Sequence, residues 1–255
     1  MLISITEKCH MNCPHCMDDA KCNSDKFMTF DTFKKAIKFN IENDISITIT
    51  GGEPTEHPQF WEFLEYASKE ITSNHIITVV TNGMNLDKDV GELMNKIIEL
   101  DTKSKGTITF QVTSVPNLYP IQINLCNPIF HIKQMVIATE IEAMYPQGRA
   151  KGKDYDFSKC KGPKCFNARS LIKNNNMPFK QMVYTLRFQM FKFCTPQIGY
   201  DGSIKVGEST LCPPVSHIDK SLSEIENDIK NFRCQGCKEL LDKLPDLHKS
   251  VIGEL

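Results

Sequence analysis

The residues best equipped for chemistry lie near the start of the chain, where Lys8-Cys9-His10-Met11-Asn12-Cys13-Pro14-His15-Cys16 sets three cysteines at the spacing C-x3-C-x2-C. Three thiolates on one loop hold a soft metal ion or an iron–sulfur cluster. They also leave one coordination position open, as in metal sites that do chemistry. A structural zinc site with His10 or His15 as fourth ligand uses the same ligand types and stays open on spacing alone.

The loop needs elements to hold it, and the surrounding pattern supplies them. It follows a short β-like run, Leu2-Ile3-Ser4-Ile5-Thr6. A second run, Ile45 to Thr50, ends in Gly51-Gly52-Glu53-Pro54, and a third, Ile76 to Val80, ends in Thr81-Asn82-Gly83. Between them lie helical patterns: Phe33, Ile37 and Ile41 share one face. A second helix is predicted from Pro58 through Leu64, and a third is capped by Asp87 and buries Val90, Met94 and Ile97. Strand four is Thr107 to Thr113 and strand five Met135 to Thr139. Alternating strand and helix implies a parallel sheet of βα units, whose sites gather at the C-terminal ends of the strands. All three motifs fall there.

Past residue 150 the composition shifts to Lys, Asn, Pro and Gly, which places a domain boundary there: 1–150, then 151–255. Phe191 to Cys194 and Ser203 to Val206 flank the turn signal Tyr200-Asp201-Gly202, and Ser221 to Phe232 reads as a helix with Leu222, Ile225 and Ile229 on one face. The second part is thus a β-hairpin plus a helix.

Composition narrows the class. The chain has 255 residues, 40% apolar, with net charge −1, which excludes a disordered chain and gives no overall basic bias toward nucleic acid. Lys151, Lys153, Lys159, Lys161 and Lys164 read as a solvated loop. No apolar run is long enough to span a membrane, and no signal peptide is present, so the expected compartment is the cytosol. Eleven cysteines without a secretion signal argue for metal or cluster ligation rather than disulfides.

Taken together, the cysteine loop, Gly51-Gly52-Glu53-Pro54 and Thr81-Asn82-Gly83, in this order, resemble the signature of the radical S-adenosylmethionine (SAM) enzymes. Alone, the glycine motif is equally a plain strand-to-helix turn. The resemblance implies a partial (β/α) parallel barrel in which Cys9, Cys13 and Cys16 hold a 4Fe–4S cluster whose fourth iron binds SAM. Gly51, Gly52 and Glu53 would contact its methionine part, with Thr81 and Asn82 nearby. His15 stands where the family commonly has an aromatic residue beside the cofactor. Strand four lacks the family's usual ribose-binding carboxylate, leaving Thr113 and Ser114 as the contacts.

Cys194, Gly207, Cys212 and the pair Cys234-x2-Cys237 resemble the auxiliary-cluster extension called SPASM, in its shorter twitch form. The resemblance implies one auxiliary 4Fe–4S cluster with all four ligands from protein; a zinc site on the same cysteines is the structural alternative. Gly148-Arg149-Ala150 is similar to a turn of such relatives, where Arg149 either orients substrate or ties the domains together. Cys126 is read as a core residue. Cys22, Cys160 or Cys165 is a candidate donor of a hydrogen atom to a substrate radical. His57, His75, His131, His217 and His248 show no metal spacing and read as surface or satisfied core residues.

The function implied is cleavage of SAM to a 5′-deoxyadenosyl radical that abstracts a substrate hydrogen atom, with flavodoxin or ferredoxin as reductant. A ribosomally made peptide is the favoured substrate, modified by cross-linking, oxidation or epimerisation. No peptide-recognition domain precedes strand one, so a separate recognition protein is an expected partner. The alternatives are dehydrogenation of a small hydroxylated metabolite, such as an aminoglycoside precursor, and a non-catalytic zinc or iron–sulfur scaffold.

Overall fold

Strand β1 (Leu2–Ser4) pairs in parallel with β2 (Ile47–Thr50), with Leu2 opposite Thr48 and Ser4 opposite Thr50. In this computed structural model the described residues are 1–86, 90–113, 135–138, 148–154, 177–184, 196–206 and 213–232. The chain divides into two units. The first comprises Met1–Cys13, Ala20–Ile141 and Gly199–Asp201, and the second Pro14–Asp19, Glu142–Ile198 and Gly202–Leu255.

In the first unit β3 (Ile76–Thr81), β4 (Thr107–Thr113) and β5 (Met135–Ala138) extend the parallel sheet in the order β5-β4-β3-β2-β1. Its registers bring Ile49 beside Val79, Val79 beside Phe110 and Val112 beside Ile137. On β3 and β4 buried residues alternate with half-exposed ones, so Ile77, Val79, Ile108, Phe110 and Val112 line one face. On β2, Ile47, Thr48 and Ile49 are all buried, as expected of a strand covered on both faces.

Helix α1 (Phe30–Glu42) begins where the Thr29 side chain accepts a hydrogen bond from the Thr32 amide at 3.2 Å. It buries Phe33, Ala36, Ile37 and Asn40, while Ile41 is only half-buried. Helix α2 (Phe60–Glu70) starts two residues after Pro58, because Pro54–Glu56 forms a separate 3-10 turn. His57 between them is buried: its Nε2 donates to the Met28 carbonyl at 2.9 Å and its Nδ1 accepts from the Gln59 amide at 3.1 Å. It is the satisfied core residue that the lack of metal spacing implied. Helix α3 (Val90–Lys103) buries Leu93, Ile97 and Leu100 and leaves Met94 half-buried. The cap expected at Asp87 lies outside the described residues. The rings of Phe33 and Phe63 stack at 4.2 Å between centroids and join α1 to α2.

The second unit contains a 3-10 turn at Gly148–Ala150, a short helix α4 (Phe179–Tyr184), and β6 (Gln197–Ile198), β7 (Ser203–Lys205) and β8 (Ser216–His217) in antiparallel order. The hairpin turn carries Gly202 at φ +84, and the described part of its first strand is Gln197–Ile198. The run Phe191 to Cys194, which the sequence offered for that strand, lies outside the described residues. Helix α5 (Leu222–Asn231) opens with a reciprocal cap: the Ser221 side chain accepts from the Glu224 amide and the Glu224 carboxylate accepts from the Ser221 amide. Ile225 and Ile229 are buried, whereas Leu222 is 38% exposed and leaves the stripe. Lys151 and Lys153 are exposed, as a solvated loop requires. No described helix is long and apolar enough to cross a membrane.

Phe33→Ala removes a fully buried ring from the α1–α2 contact and is expected to lower unfolding free energy by about 3–5 kcal/mol, read from urea denaturation followed by circular dichroism.

Candidate functional site

Beyond β1 the chain runs on beside β2, the Ile5 amide donating to the Thr50 carbonyl at 2.9 Å. Thr6 then bridges Phe27 and Lys8 bridges Lys21. Two backbone bonds close the neck of the cysteine loop: Lys21 N–H to Glu7 carbonyl and Cys9 N–H to Lys21 carbonyl, both 3.1 Å. Asn12, at φ +51, supplies the left-handed turn within the loop, a conformation Asn tolerates better than most residues.

The turn after β2 lies directly against this neck. Gly52 donates its amide to the Thr6 carbonyl and Glu53 its amide to the Lys8 carbonyl, each at 2.7 Å. A Cβ at position 52 would stand 2.3 Å from the Lys8 oxygen, closer than any real side chain tolerates. Glycine is therefore needed here for the approach of two backbones.

Glu53 is the hub of the next layer, with its side chain fully buried. Its Oε1 accepts from the Thr55 amide (3.1 Å), the Thr55 hydroxyl (2.5 Å) and the Thr81 hydroxyl (2.6 Å), and its Oε2 from the Asn82 amide (2.8 Å). Burial pushes its carboxyl above the ordinary range, and these four donors oppose the rise. Asn82 reaches further: its Nδ2 donates to the Cys9 sulfur at 3.9 Å. The Thr81-Asn82 turn, Glu53 and Cys9 thus form one connected network.

The Cys9 thiol is buried and pushed up to about 12, chiefly by desolvation. A hydrogen bond from the Met11 backbone opposes this, and the charges of Glu53 and Glu56 add to it. Such a thiol keeps its proton at neutral pH until a metal displaces it. Glu56 accepts from the His10 amide at 2.8 Å and pairs with the His10 ring through the same oxygen. Nothing in the sequence singles out this pair or Thr55, because neither has a distinctive spacing.

The segment Pro14–Asp19 falls in the second unit together with the Gly148–Ala150 turn. Arg149 donates its amide to the Cys16 carbonyl at 2.9 Å, and its guanidinium stands 3.5 Å from Asp19. Gly148, at φ +54, brings its backbone so close that a Cβ would lie 2.3 Å from the Met17 carbonyl. His15 is buried, and burial together with the Arg149 charge depresses its pKa, which keeps the ring neutral.

The radical SAM superfamily profile matches residues 3–123, the stretch that carries β1 to β4 and all three motifs. Residues 3–123 are a radical SAM domain. A GTP 3′,8-cyclase of Actinobacillus succinogenes is 33% identical over 93 residues, 35% of this chain and 27% of that protein. The antilisterial bacteriocin subtilosin biosynthesis protein AlbA of Bacillus subtilis is 30% identical over 91 residues, 35% of this chain and 20% of that protein. The chain spans about a third or less of the length of the curated relatives it matches. Among solved structures, BtrN in complex with AdoMet and 2-DOIA superposes with a TM-score of 0.53 at 13% identity, covering 98% of this chain and 88% of that one. That likeness is one of fold.

The radical SAM family uses a 4Fe–4S cluster held by three cysteines, and the donor set here fits it. Cys9 and Cys13 are buried and Cys16 half-buried. The Cys9 sulfur is faced by N–H donors, as a thiolate ligand requires. Among the described residues no three His, Cys, Asp or Glu side chains already stand at metal-ligating distance, so the ligand set rests on the spacing and on this burial. Cys22 sits on an exposed turn beside the loop neck, and Thr113 ends β4, half-buried. Ser114, Cys126, Cys160, Cys165, Cys194, Cys212, Cys234 and Cys237 lie outside the described residues, as do His131 and His248.

Gly52→Ala is expected to destabilise the domain by about 1–3 kcal/mol through the forced separation of the two backbones, measured by chemical denaturation.

Proposed function

We propose that this chain is a radical SAM enzyme. The single observation that supports it most is the meeting of three strand-end motifs: the Gly51-Gly52-Glu53 turn is hydrogen-bonded to the neck of the cysteine loop, and Glu53 to Thr81 and Asn82. Cys9, Cys13 and Cys16 would hold a 4Fe–4S cluster, which when bound would supply one-electron reductive cleavage of SAM for abstraction of a substrate hydrogen atom.

The chain's own residues do the positioning. Gly51 and Gly52, without side chains, let the β2 turn approach both the loop and a ligand at backbone distance. The Glu53 carboxylate is held by four donors of the chain, so its contribution is to fix the β2 and β3 turns relative to each other. His15, kept neutral, places an uncharged ring beside the third ligand. The four cysteines Cys194, Cys212, Cys234 and Cys237 are taken as the ligands of one auxiliary cluster in a twitch-like domain, on the spacing alone.

The substrate proposed is a ribosomally made peptide, a reading supported by the likeness to a bacteriocin biosynthesis protein. The likeness to a GTP 3′,8-cyclase favours a small hydroxylated molecule as the second reading. Anaerobic reconstitution with iron and sulfide tests the core of the proposal. About eight irons per chain are expected for two four-iron clusters. Cys9→Ala, Cys13→Ala or Cys16→Ala should each remove about four of them and abolish 5′-deoxyadenosine formation from SAM under reductant. Zinc in place of iron, with SAM left intact, would overturn it in favour of a scaffold.

A further inference from the structure

The Asn82 side chain has one feature that its place in the Thr81-Asn82-Gly83 turn does not require. Its carbonyl oxygen is already engaged, accepting from the Met84 amide at 2.9 Å. A backbone amide is an obligate donor, so this contact fixes which end of the side chain is oxygen. The NH2 group must then face the opposite way, and there it meets the Cys9 sulfur at 3.9 Å. Both partners are buried, at 8% and 9% exposure, so bulk water does not compete for the contact. The backbone of the same residue is tied to Glu53 at 2.8 Å, and Glu53 is in turn held by Thr81 and Thr55. The amide is therefore aimed by a network rather than free to rotate toward a ligand.

Two N–H groups meet this sulfur, the Met11 backbone amide and the Asn82 side-chain amide. Hydrogen bonds to cysteine sulfur are among the terms that set the potential of an iron–sulfur cluster, because they stabilise the more negative, reduced state. Met11 contributes through its backbone, which a side-chain change leaves in place. Asn82 is the contributor that a point substitution can remove.

We infer that Asn82 is a positioning residue for reduction of the cluster: its side-chain N–H to the Cys9 sulfur raises the cluster's reduction potential. The inference rests on the reading of Cys9 as a cluster ligand. It assigns the amide to the cluster sulfur, where the family resemblance placed this residue only near the SAM methionine.

The test uses the full chain, reconstituted anaerobically with iron and sulfide and titrated against dithionite-based redox buffers. The signal followed is the reduced-cluster electron paramagnetic resonance that shifts when SAM is added. Asn82→Ala removes the donor without adding charge. Asn82→Asp keeps an oxygen to cap the Met84 amide but replaces the NH2 by a charged oxygen, so Asn82→Ala is the variant that isolates the donor. In both variants the ratio of reduced to oxidised cluster at a fixed poise is expected to fall by roughly tenfold, about 59 mV for a one-electron couple. Ratios within about twofold of wild type in both variants, at full iron content, would overturn the inference. Loss of iron from both variants would overturn it as well, since the amide would then be a support for the loop rather than a tuner of the cluster. A wild-type protein with no SAM-sensitive signal would instead defeat the proposed function itself.

Discussion

The structure depends on one close backbone approach. Gly52 and Glu53 donate their amides to the carbonyls of Thr6 and Lys8, and the geometry admits no side chain at position 52. That contact fixes the entry to the cysteine loop against the turn after β2. The parallel pairing of β1 with β2 brings the two strand ends level, since Ser4 lies opposite Thr50. Connections that leave neighbouring parallel strands emerge at the same edge and can meet there. Two motifs some forty residues apart in sequence thereby become a single surface.

Glu53 shows how burial and hydrogen bonding are balanced at such a site. A fully buried carboxylate is unfavourable unless its oxygens are satisfied. Here two backbone amides and two threonine hydroxyls satisfy them. Because the donors come from the turns after β2 and β3, the carboxylate joins those turns and holds Asn82 in place. The acidic residue of the motif serves the architecture of the site through its side chain, and its backbone serves the loop.

Arg149 contacts the segment that carries Cys16, through its amide and through Asp19. Both contacts lie within the second unit, and they decide neither of the roles the sequence left open, orienting a substrate or tying the domains together. Gly148 carries the reason for the turn's composition: its positive φ and its approach to the Met17 carbonyl both exclude a side chain.

The sequence by itself determined the periodic features. The parallel strands follow from short apolar runs that alternate with helical stripes, and their C-terminal ends were marked by Cys, Gly and Asn at spacings with few other uses. It also placed the Ser221 helix, whose start is written in the local Ser221–Glu224 pair. It misplaced the start of α2, because the 3-10 turn at Pro54–Glu56 is stabilised by Glu53 and His57 contacts rather than by any local periodicity. It could not mark Gln197–Ile198, since strands this short carry almost no pattern. Only the tertiary structure decided that Glu53 turns inward to the chain's own donors, that Asn82 reaches Cys9, that His10 pairs with Glu56 and that Arg149 meets Asp19. These are contacts between residues as far as 130 positions apart. No local pattern encodes them, because each depends on which strand ends the sheet brings side by side.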